Sequence, residues 1–449
     1  MSSETIVAPE DAARRVLENS DAAATEVLVS QEKGSLTRFA NSEIHQNVTT
    51  EAVFLRVRVV EDSRVGVAST NQLDDDSLRE AVARARGVAR AQEAQADLPP
   101  MPGPAEVAST PLVASTAGST PEARAEMVRV MCAEADAAGV RGFGAVSAAT
   151  TDYVMANSTG LMVSTARCVA TAKMVAMAAD GASGYGARCS QAVDDLDARS
   201  IAAEATDRAV RYRDPMTLDA GAYPVVFEEE AIGELLEYLA YIGFGALAVE
   251  EGRTFTRPGE RVSGPAINIW DDGLDPAGLP MSFDFEGVPR RRVDLVREGM
   301  AVGVVHDLAT AARAGVESTG HGLPAPNAYG PMAMNLFLGG GSAATTEELC
   351  AGIERGIWVT RLWYVNVVDP THSVLTGMTR DGTFLIENGR VTRPVKNMRF
   401  TQSIMDAFAT CSDATRDTKL VSGTDYDFIA AYRVPAMRMD AFNFTSATR

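Results

Sequence analysis

An internal repeat in the first half of the chain constrains its fold more than any other sequence feature. The segment RFANSEIHQN at residues 38–47 is echoed by VMANSTGLMVS at residues 154–164, so that Ala-Asn-Ser occurs twice after an apolar residue. Each copy follows a predicted helix and precedes alternating sequence, in which residues two apart share one face of a strand. Because both the order and the type of the elements recur, the sequence predicts two helix–strands–helix units.

The helices of the two predicted units have recognisable start signals. The first helix of each unit has a proline in its first turn, at Pro9 and Pro121, where the backbone N–H would have no intrahelical partner. The closing helices are predicted to open at Asp74 and Asp194, because aspartate is a favourable N-cap and early acidic residues suit the positive end of a helix. A Pro-rich linker separates the units, and the predicted boundaries are 1–97, 98–120 for the linker, and 121–215.

The remaining segment, 216–449, has short apolar runs separated by glycine-rich loops, which is typical of β structure. Asn388-Gly389 fits a two-residue type I′ hairpin turn. Two helices are expected here, one within 228–252 and one near 345–355, where threonine caps precede early glutamates. The chain is therefore predicted to be α+β, with the duplicated N-terminal region packed on a β-rich C-terminal domain.

Composition excludes several classes of function. The chain has 41 Lys and Arg against 60 Asp and Glu, a formal net charge of −19, which argues against a general nucleic-acid binder. The run of three arginines at 290–292 is expected to be a solvated loop.

No apolar run reaches the roughly 18 residues of a membrane span, and the start lacks the features of a signal peptide. The five cysteines are widely spaced without a CxxC pair, so a reduced, cytoplasmic protein is expected.

The helix predicted within 228–252 has the apolar periodicity of a core helix but contains no histidine. A zinc site on a helix needs two imidazoles on one face, a third ligand, and a glutamate that acts as general base on the metal-bound water. The sequence has no histidine between His45 and His306. Glu237 alone cannot replace such a site.

Five motifs, in this order, resemble the TldD/PmbA family: RFANSEIHQN, NSTG, ESTGHG, NLFLGGGS with TEEL, and TRDGTFLIENGRVTRPVKNMRF. The resemblance covers residues 25–445 and implies a duplicated α/β region on a β-rich C-terminal domain. The TldD type of member carries an H-E-x-x-x-H motif on a helix and is similar to a zinc protease that trims unfolded peptides or modified peptide precursors. The PmbA/TldE type lacks that motif and pairs with a TldD partner, and this chain resembles the second type.

The resemblance also bears on the metal site. The motif would fall on the predicted helix, where this chain has Glu237, Tyr238, Tyr241 and Ile242. The third ligand of the TldD type resembles a cysteine near the C-terminus, but residues 420–428 contain none, and Cys411 lies earlier, in a predicted helix. We therefore expect no catalytic residue, no metal ligand and no cofactor in this chain, with zinc held by a TldD-type partner.

Six residues are expected to line a substrate cleft, because their positions match the motifs of the family. Two of them, Asp284 and Glu286, lie two apart and are predicted to share one face of a strand. The expected substrate is a peptide or small amide, bound as an extended strand mainly through backbone hydrogen bonds. The six are Asn41, His45, Asp284, Glu286, His321 and Arg380.

The expected partner is a TldD-type H-E-x-x-x-H subunit. A heterodimer with that subunit is expected, and a homodimer when the chain is alone. Neither nucleic acid nor membrane is an expected partner. The biological role could be general peptide clearance or a dedicated step on a peptide- or thiol-derived biosynthetic intermediate. The sequence does not distinguish the two, because both are compatible with the same motifs.

Two other functions remain open from the sequence. Ser373, His321 and Asp369 could meet in space as the triad of a metal-independent amide hydrolase, although no G-x-S-x-G elbow is present. His306 and Asp307 make a poor pair, because adjacent residues on a predicted strand point to opposite faces. The third possibility is a homo-oligomeric binding protein without proteolytic activity.

Overall fold

Two helix–strand–strand–strand–helix units make up the N-terminal half, as the internal repeat predicts. The structure, a computed structural model, describes residues 7–423 and 430–447. The first unit comprises α1 (Pro9–Glu18), β1 (Ala24–Ala40), β2 (Glu43–Glu61), β3 (Arg64–Thr70) and α2 (Asp75–Ala91). After a loop with the short helix α3 (Ala114–Ala117), the second comprises α4 (Pro121–Ala137), β4 (Arg141–Asn157), β5 (Met162–Met177), β6 (Ser183–Ser190) and α5 (Ala198–Arg211).

The two units join edge to edge into one antiparallel sheet of order β3-β2-β1-β4-β5-β6. The order is symmetric about the β1–β4 pair, so the duplication in sequence becomes an approximate two-fold arrangement of the sheet. Each closing helix packs closely on its edge strand through a glycine. A Cβ at Gly66 of β3 would lie 1.9 Å from the Ala85 carbonyl oxygen of α2, and one at Gly184 of β6 would lie 2.2 Å from that of Ala205 in α5.

The opening helices start at Pro9 and Pro121 as predicted, whereas the predicted start of the closing helix is confirmed in the first unit and displaced in the second. Asp74 caps α2, because its Oδ1 accepts a hydrogen bond from the Ser77 N–H at 2.9 Å. The start predicted at Asp194 is wrong, since residues 193–195 form a separate 3₁₀ turn. Helix α5 begins after Asp197, whose side chain accepts from the backbone N–H of Ser200 at 3.1 Å and so provides the cap.

The C-terminal half consists of two further sheets with helix α6 (Glu229–Gly243) packed against both. One sheet has the order β10-β9-β8-β11-β18-β17, made of β8 (Ile269–Asp271), β9 (Val293–Arg297), β10 (Met300–Ala301), β11 (Asn335–Leu338), β17 (Lys419–Ser422) and β18 (Ala431–Val434). The other has the order β12-β7-β19-β15-β13-β14, with β16 (Cys411–Ala414) on β19. It is made of β7 (Gly221–Phe227), β12 (Arg355–Asp369), β13 (Val374–Glu387), β14 (Arg390–Pro394), β15 (Met398–Ser403) and β19 (Met437–Ala447). The fold is α+β, as predicted.

The described residues of this half also form three short helices, α7 (Ala246–Glu250), α8 (Leu308–Ala314) and α9 (Ile404–Ala409). The helix predicted near 345–355 is wrong. Only one 3₁₀ turn forms, at Glu348–Cys350, because the backbone is already extended at Ala351 (φ -56°, ψ 132°) and β12 begins at Arg355. The Asn388-Gly389 turn is confirmed, since both residues have positive φ, 51° and 77°, as a type I′ hairpin requires.

Two smaller predictions also fail for local reasons. Cys411 does not lie in a helix, because α9 ends at Ala409 and Cys411 begins β16. His306 and Asp307 do not lie on a strand, because Asp307 caps α8, accepting from the Thr310 N–H at 2.8 Å. Of the helices that the structure describes, none combines the length and the apolar character needed to cross a membrane.

Candidate functional site: a cleft beside helix α6

Helix α6 has one apolar face and one acidic face. Its apolar side chains, predicted from their helical spacing, are all buried in the largest core cluster: Ile232, Leu235, Leu236, Leu239 and Ile242. Three glutamates, Glu230, Glu234 and Glu237, recur at i, i+4 and i+7, so they share another face. They line a pocket of about 140 Å³ together with Tyr185 of β6 and Arg361 of β12. The N-terminal sheet and the C-terminal domain thus meet at α6.

Glu237, which stands near the expected position of the family's metal motif, is almost completely enclosed. Its side chain is 2% exposed. The backbone of Gly423 approaches this carboxylate closely, since a Cβ there would lie 2.7 Å from Glu237 Oε1. Of the stretch 420–428, which contains no cysteine, the structure describes only the residues up to Gly423.

Arg361 and Trp363 form the far wall of the cleft. The Arg361 guanidinium lies 4.2 Å from the centre of the Tyr185 ring and 5.2 Å from that of Trp363, which are cation–π distances. Arg361 Nε is 3.1 Å from Asp381 Oδ2. The guanidinium of Arg380, one of the predicted cleft residues, lies 5.4 Å from the centre of the Trp363 ring. The structure therefore places Arg380 at the rim of this cleft.

Burial shifts the pKa of a carboxyl group on the acidic face of α6. Burial raises the pKa of Glu230 to about 7, and the charge of Glu229 adds to this, whereas Lys419 and Arg361 act in the opposite direction. Lys419 Nζ pairs with Glu229 Oε2 at 3.1 Å. Burial also raises the pKa of Tyr185. Near neutral pH, Glu230 can therefore hold or release a proton.

The donors around α6 do not suit zinc. They are three carboxylates, two phenols, a hydroxyl, an indole and a guanidinium, whereas zinc sites in proteins are built mainly from imidazole and thiolate groups. Within 7–423 and 430–447, no group of three or more His, Cys, Asp or Glu side chains is arranged to hold a metal ion.

Asp284 and Glu286 lie together, but in a turn rather than on a strand, which corrects the prediction. Asp284 Oδ1 accepts from the N–H groups of Glu286 and Val288, both at 2.9 Å, and this bonding closes the turn. Burial raises the pKa of both carboxyls, and the charge of Asp284 raises that of Glu286 further. With Glu26 of β1, Glu286 lines a second cavity of about 580 Å³ between the first unit and the C-terminal domain.

The other predicted cleft residues are dispersed. Asn41 and His45 are exposed at the β1–β2 hairpin, at the opposite end of β1 from Glu26. Asn41 and Ser42 have φ of 53° and 61° and form the turn. His321 is fully enclosed, so it lies beneath the surface.

The predicted triad does not assemble in the described structure. His321 contacts Asp271 through Nε2 and Thr319 through Nδ1, each at 2.9 Å. Asp369 pairs instead with the exposed His372, at 2.8 Å. The Ser373 hydroxyl donates to the His372 carbonyl oxygen at 2.7 Å rather than to an imidazole.

The chain is similar to metallopeptidases of one family over most of its length. Three family models match: PmbA/TldA metallopeptidase domain 1 at residues 25–89, the central domain at 115–213 and the C-terminal domain at 220–446. The chain belongs to the PmbA/TldD family.

Relatives and solved structures are similar to the chain over different lengths. It is 32% identical to the metalloprotease TldD homolog of Haemophilus influenzae over 186 residues, covering 40% of this chain and 36% of that protein. It is 27% identical to the metalloprotease slr0863 of Synechocystis over 229 residues, covering 48% and 47%. Each match spans less than half of the relative. The crystal structure of TldE from Thermococcus kodakarensis superposes with a TM-score of 0.85 and 19% identity over 97% of this chain and 99% of that chain, which shows a shared fold.

Most of the residues that line this cleft were not predicted from the sequence. The spacing of Glu230 and Glu234 on the helix was a usable signal, because it puts them on one face. The positions of Tyr185 and Arg361 follow only from the packing of β6 and β12 against α6, which no local pattern reports.

Proposed function

We propose that the chain is a PmbA/TldE-type subunit that binds no catalytic metal and works with a TldD-type zinc metalloprotease on peptides or small amides. The observation that carries the proposal is the chemistry of α6. It presents Glu230, Glu234 and Glu237 to a cleft where a zinc helix would present imidazoles. Family membership supports the metallopeptidase context.

The role of this subunit would be to complete the substrate-binding surface. An extended peptide can lie along the cleft between the N-terminal sheet and α6, held by its backbone and by a few side-chain pockets. The glutamates of α6 favour a cationic group of the substrate at this end of the cleft. The reaction itself would take place on the partner, in the cytoplasm, during peptide clearance or on a peptide- or thiol-derived intermediate.

Reconstitution tests this proposal. The purified chain is expected to hydrolyse no peptide alone and to do so when mixed with a TldD-type subunit that carries H-E-x-x-x-H. Replacing the partner's motif glutamate by glutamine should abolish turnover, since that residue is the general base. Metal analysis of this chain should find far less than one zinc per chain. Hydrolysis by the chain alone, dependent on a tightly bound metal, would overturn the proposal.

A further inference from the structure

A cavity of about 580 Å³ lies between the first N-terminal unit and the C-terminal domain. It has no lining residue in common with the cleft beside α6. Its walls are mainly apolar and come from both halves of the chain: Val65, Val67, Val88 and Leu98 from the first unit and the loop that follows it, and Phe285 and Leu323 from the C-terminal domain. Apolar walls with a few charged groups, at this size, are typical of a small-molecule site.

The wall formed by the N-terminal sheet carries two arginines of β2, Arg56 and Arg58, which lie two residues apart and share one face of the strand. Arg58 is already paired, because its Nη1 lies 2.8 Å from Oε2 of the buried Glu26. Within residues 7–423 and 430–447, no carboxylate forms an ion pair with Arg56, whose guanidinium lies 5.0 Å from the centre of the Phe54 ring. Arg56 is therefore the cation of this wall that can pair with a ligand.

The wall formed by the C-terminal domain carries the carboxylate of Glu286. Its Oε2 accepts a hydrogen bond from the Leu308 N–H at 2.8 Å, and the described part of the chain supplies no other hydrogen bond to this carboxylate. The backbone also approaches Oε2 closely, since a Cβ at Gly322 would lie 2.5 Å from it. Oε1 is therefore the oxygen that remains for a ligand. Asp307 lines the cavity as well, but its side chain already caps α8.

The surroundings of Glu286 favour a positively charged partner. Burial raises the pKa of Glu286, and the charge of Asp284 raises it further. The charges of Asp307 and Glu26 act in the same direction, whereas the hydrogen bond from the Leu308 N–H opposes them. An ammonium group beside Glu286 would favour the ionised carboxylate and donate a charge-assisted hydrogen bond to it. A metal ion is not favoured, because the described residues contain no group of three or more His, Cys, Asp or Glu arranged to hold one.

We propose that this cavity binds a small zwitterion with an apolar side chain, with its amine at Glu286 and its carboxylate at Arg56. The guanidinium of arginine presents paired N–H donors that match the two oxygens of a carboxylate. The apolar walls would hold the side chain, and the burial of apolar surface adds to the affinity. Free amino acids and short peptides with both termini free belong to this class. The site is distinct from the cleft beside α6, so the inference does not depend on the proposed function.

A ligand bound in this way would join the two halves of the chain. Arg56 belongs to the N-terminal sheet, whereas Glu286 belongs to the C-terminal domain. A ligand that contacts both is bound by the folded chain only, and it therefore stabilises the folded state by mass action. The melting temperature should accordingly rise with the concentration of the ligand.

Calorimetric titration of the full chain, without a partner, tests the site. The probes are leucine and leucyl-leucine, and at least one of them should bind and raise the melting temperature. The control ligands are the N-acetyl derivative of the probe that binds, which lacks the ammonium group, and its C-terminal amide, which lacks the carboxylate. Each should bind about tenfold or more weakly, because each leaves one charged wall without a partner. No binding of either probe, or equal binding of a probe and its two derivatives, would overturn the proposal.

Substitutions in the two charged walls locate the bound probe. Glu286→Gln and Arg56→Gln should each weaken its binding about tenfold or more. Glutamine at 286 keeps an oxygen that can accept from the Leu308 N–H, so the fold should be retained, and the urea midpoint checks this. The matched controls are Glu80→Gln and Arg79→Gln on α2, whose side chains are 69% and 53% exposed, and both should leave the binding unaltered.

Two more variants separate this cavity from the cleft beside α6. Leu98→Trp places a larger side chain at the cavity wall, so it should weaken binding of the probe by filling space. If Glu230→Gln abolishes binding while Glu286→Gln does not, the probe occupies the cleft beside α6 and the proposal is overturned. Binding that none of these substitutions changes would also exclude the cavity as the site.

Discussion

His321 and Asp271 form a completely enclosed pair, in which Nε2 of the imidazole lies 2.9 Å from Oδ1 of the carboxylate and neither side chain is exposed. The second oxygen of Asp271 accepts from the N–H groups of Met334 and Asn335, both at 2.8 Å. The pair therefore joins β8, β11 and the loop that contains Gly322. Since the Gly322 N–H bonds to Asp284, it also supports the turn that carries Asp284 and Glu286.

We expect Asp271→Ala to destabilise the chain by about 3–5 kcal/mol, because it leaves one imidazole and two backbone N–H groups enclosed without an acceptor. The free energy of urea unfolding measures this. The control is His372→Ala, which removes only the exposed pair with Asp369 and should leave the free energy of unfolding nearly unchanged. Equal losses in the two variants would contradict a structural role for the buried pair.

The pH dependence of stability should reveal Glu230. Its pKa is about 7 in the folded chain against an ordinary 4.5, so the folded state holds the proton more tightly than the unfolded state does. The stabilisation that depends on this proton is complete below about pH 4.5 and is lost as the pH rises towards 7. Glu230→Gln keeps the neutral shape, so at pH 8 it should be more stable than the original chain by up to about 3 kcal/mol.

Chemical denaturation at pH 4 and at pH 8 checks this prediction. The advantage of Glu230→Gln should vanish at the lower pH. The exposed Glu80, 69% accessible on α2, provides the matched control, and Glu80→Gln should show no such dependence. An advantage of the same size at both values would mean that ionisation of Glu230 is not its cause.

Substitutions on α6 should affect substrate fit or stability rather than chemistry. Glu237→Gln removes a charge while keeping shape, and Tyr241→Phe removes one hydroxyl, which is expected to cost at most about 1–2 kcal/mol if bonded. In the complex reconstituted with a TldD-type subunit, both variants should retain turnover within about tenfold, which corresponds to about 1.4 kcal/mol in the barrier. Loss of all turnover in Glu237→Gln with an intact fold would show that α6 carries the chemistry.

The exposed end of β12 should form part of a subunit interface. Trp363, Tyr364 and Val368 are 46%, 73% and 55% exposed, a grouping of apolar side chains that is typical of interfaces. We expect the chain to be a homodimer alone and to exchange into a heterodimer with a TldD-type subunit. Light scattering after size-exclusion chromatography should show that Tyr364→Lys weakens both assemblies.

Leu112→Lys, at an exposed position (51%) in the loop before α3, is the control. A monomer that does not respond to the partner would exclude this interface.

The sequence by itself determined the features that depend on neighbouring residues. The duplicated units, the Asp74 cap, the type I′ turn at Asn388-Gly389 and the buried face of α6 all follow from short-range rules of backbone conformation and from apolar spacing. The helix predicted near 345–355 fails for an equally local reason, because the backbone is already extended at Ala351 and only a single turn precedes it.

Only the tertiary structure decided which side chains meet. His321 faces Asp271 instead of Ser373 and Asp369, and Arg290 is buried although Arg291 and Arg292 beside it are half exposed, so the prediction of a solvated arginine loop is wrong for Arg290. These arrangements join residues that are far apart in sequence, and they depend on how the N-terminal sheet packs on the C-terminal domain. Local patterns contain no information about that packing, because contacts between distant segments are set by the shape and chemistry of both surfaces together.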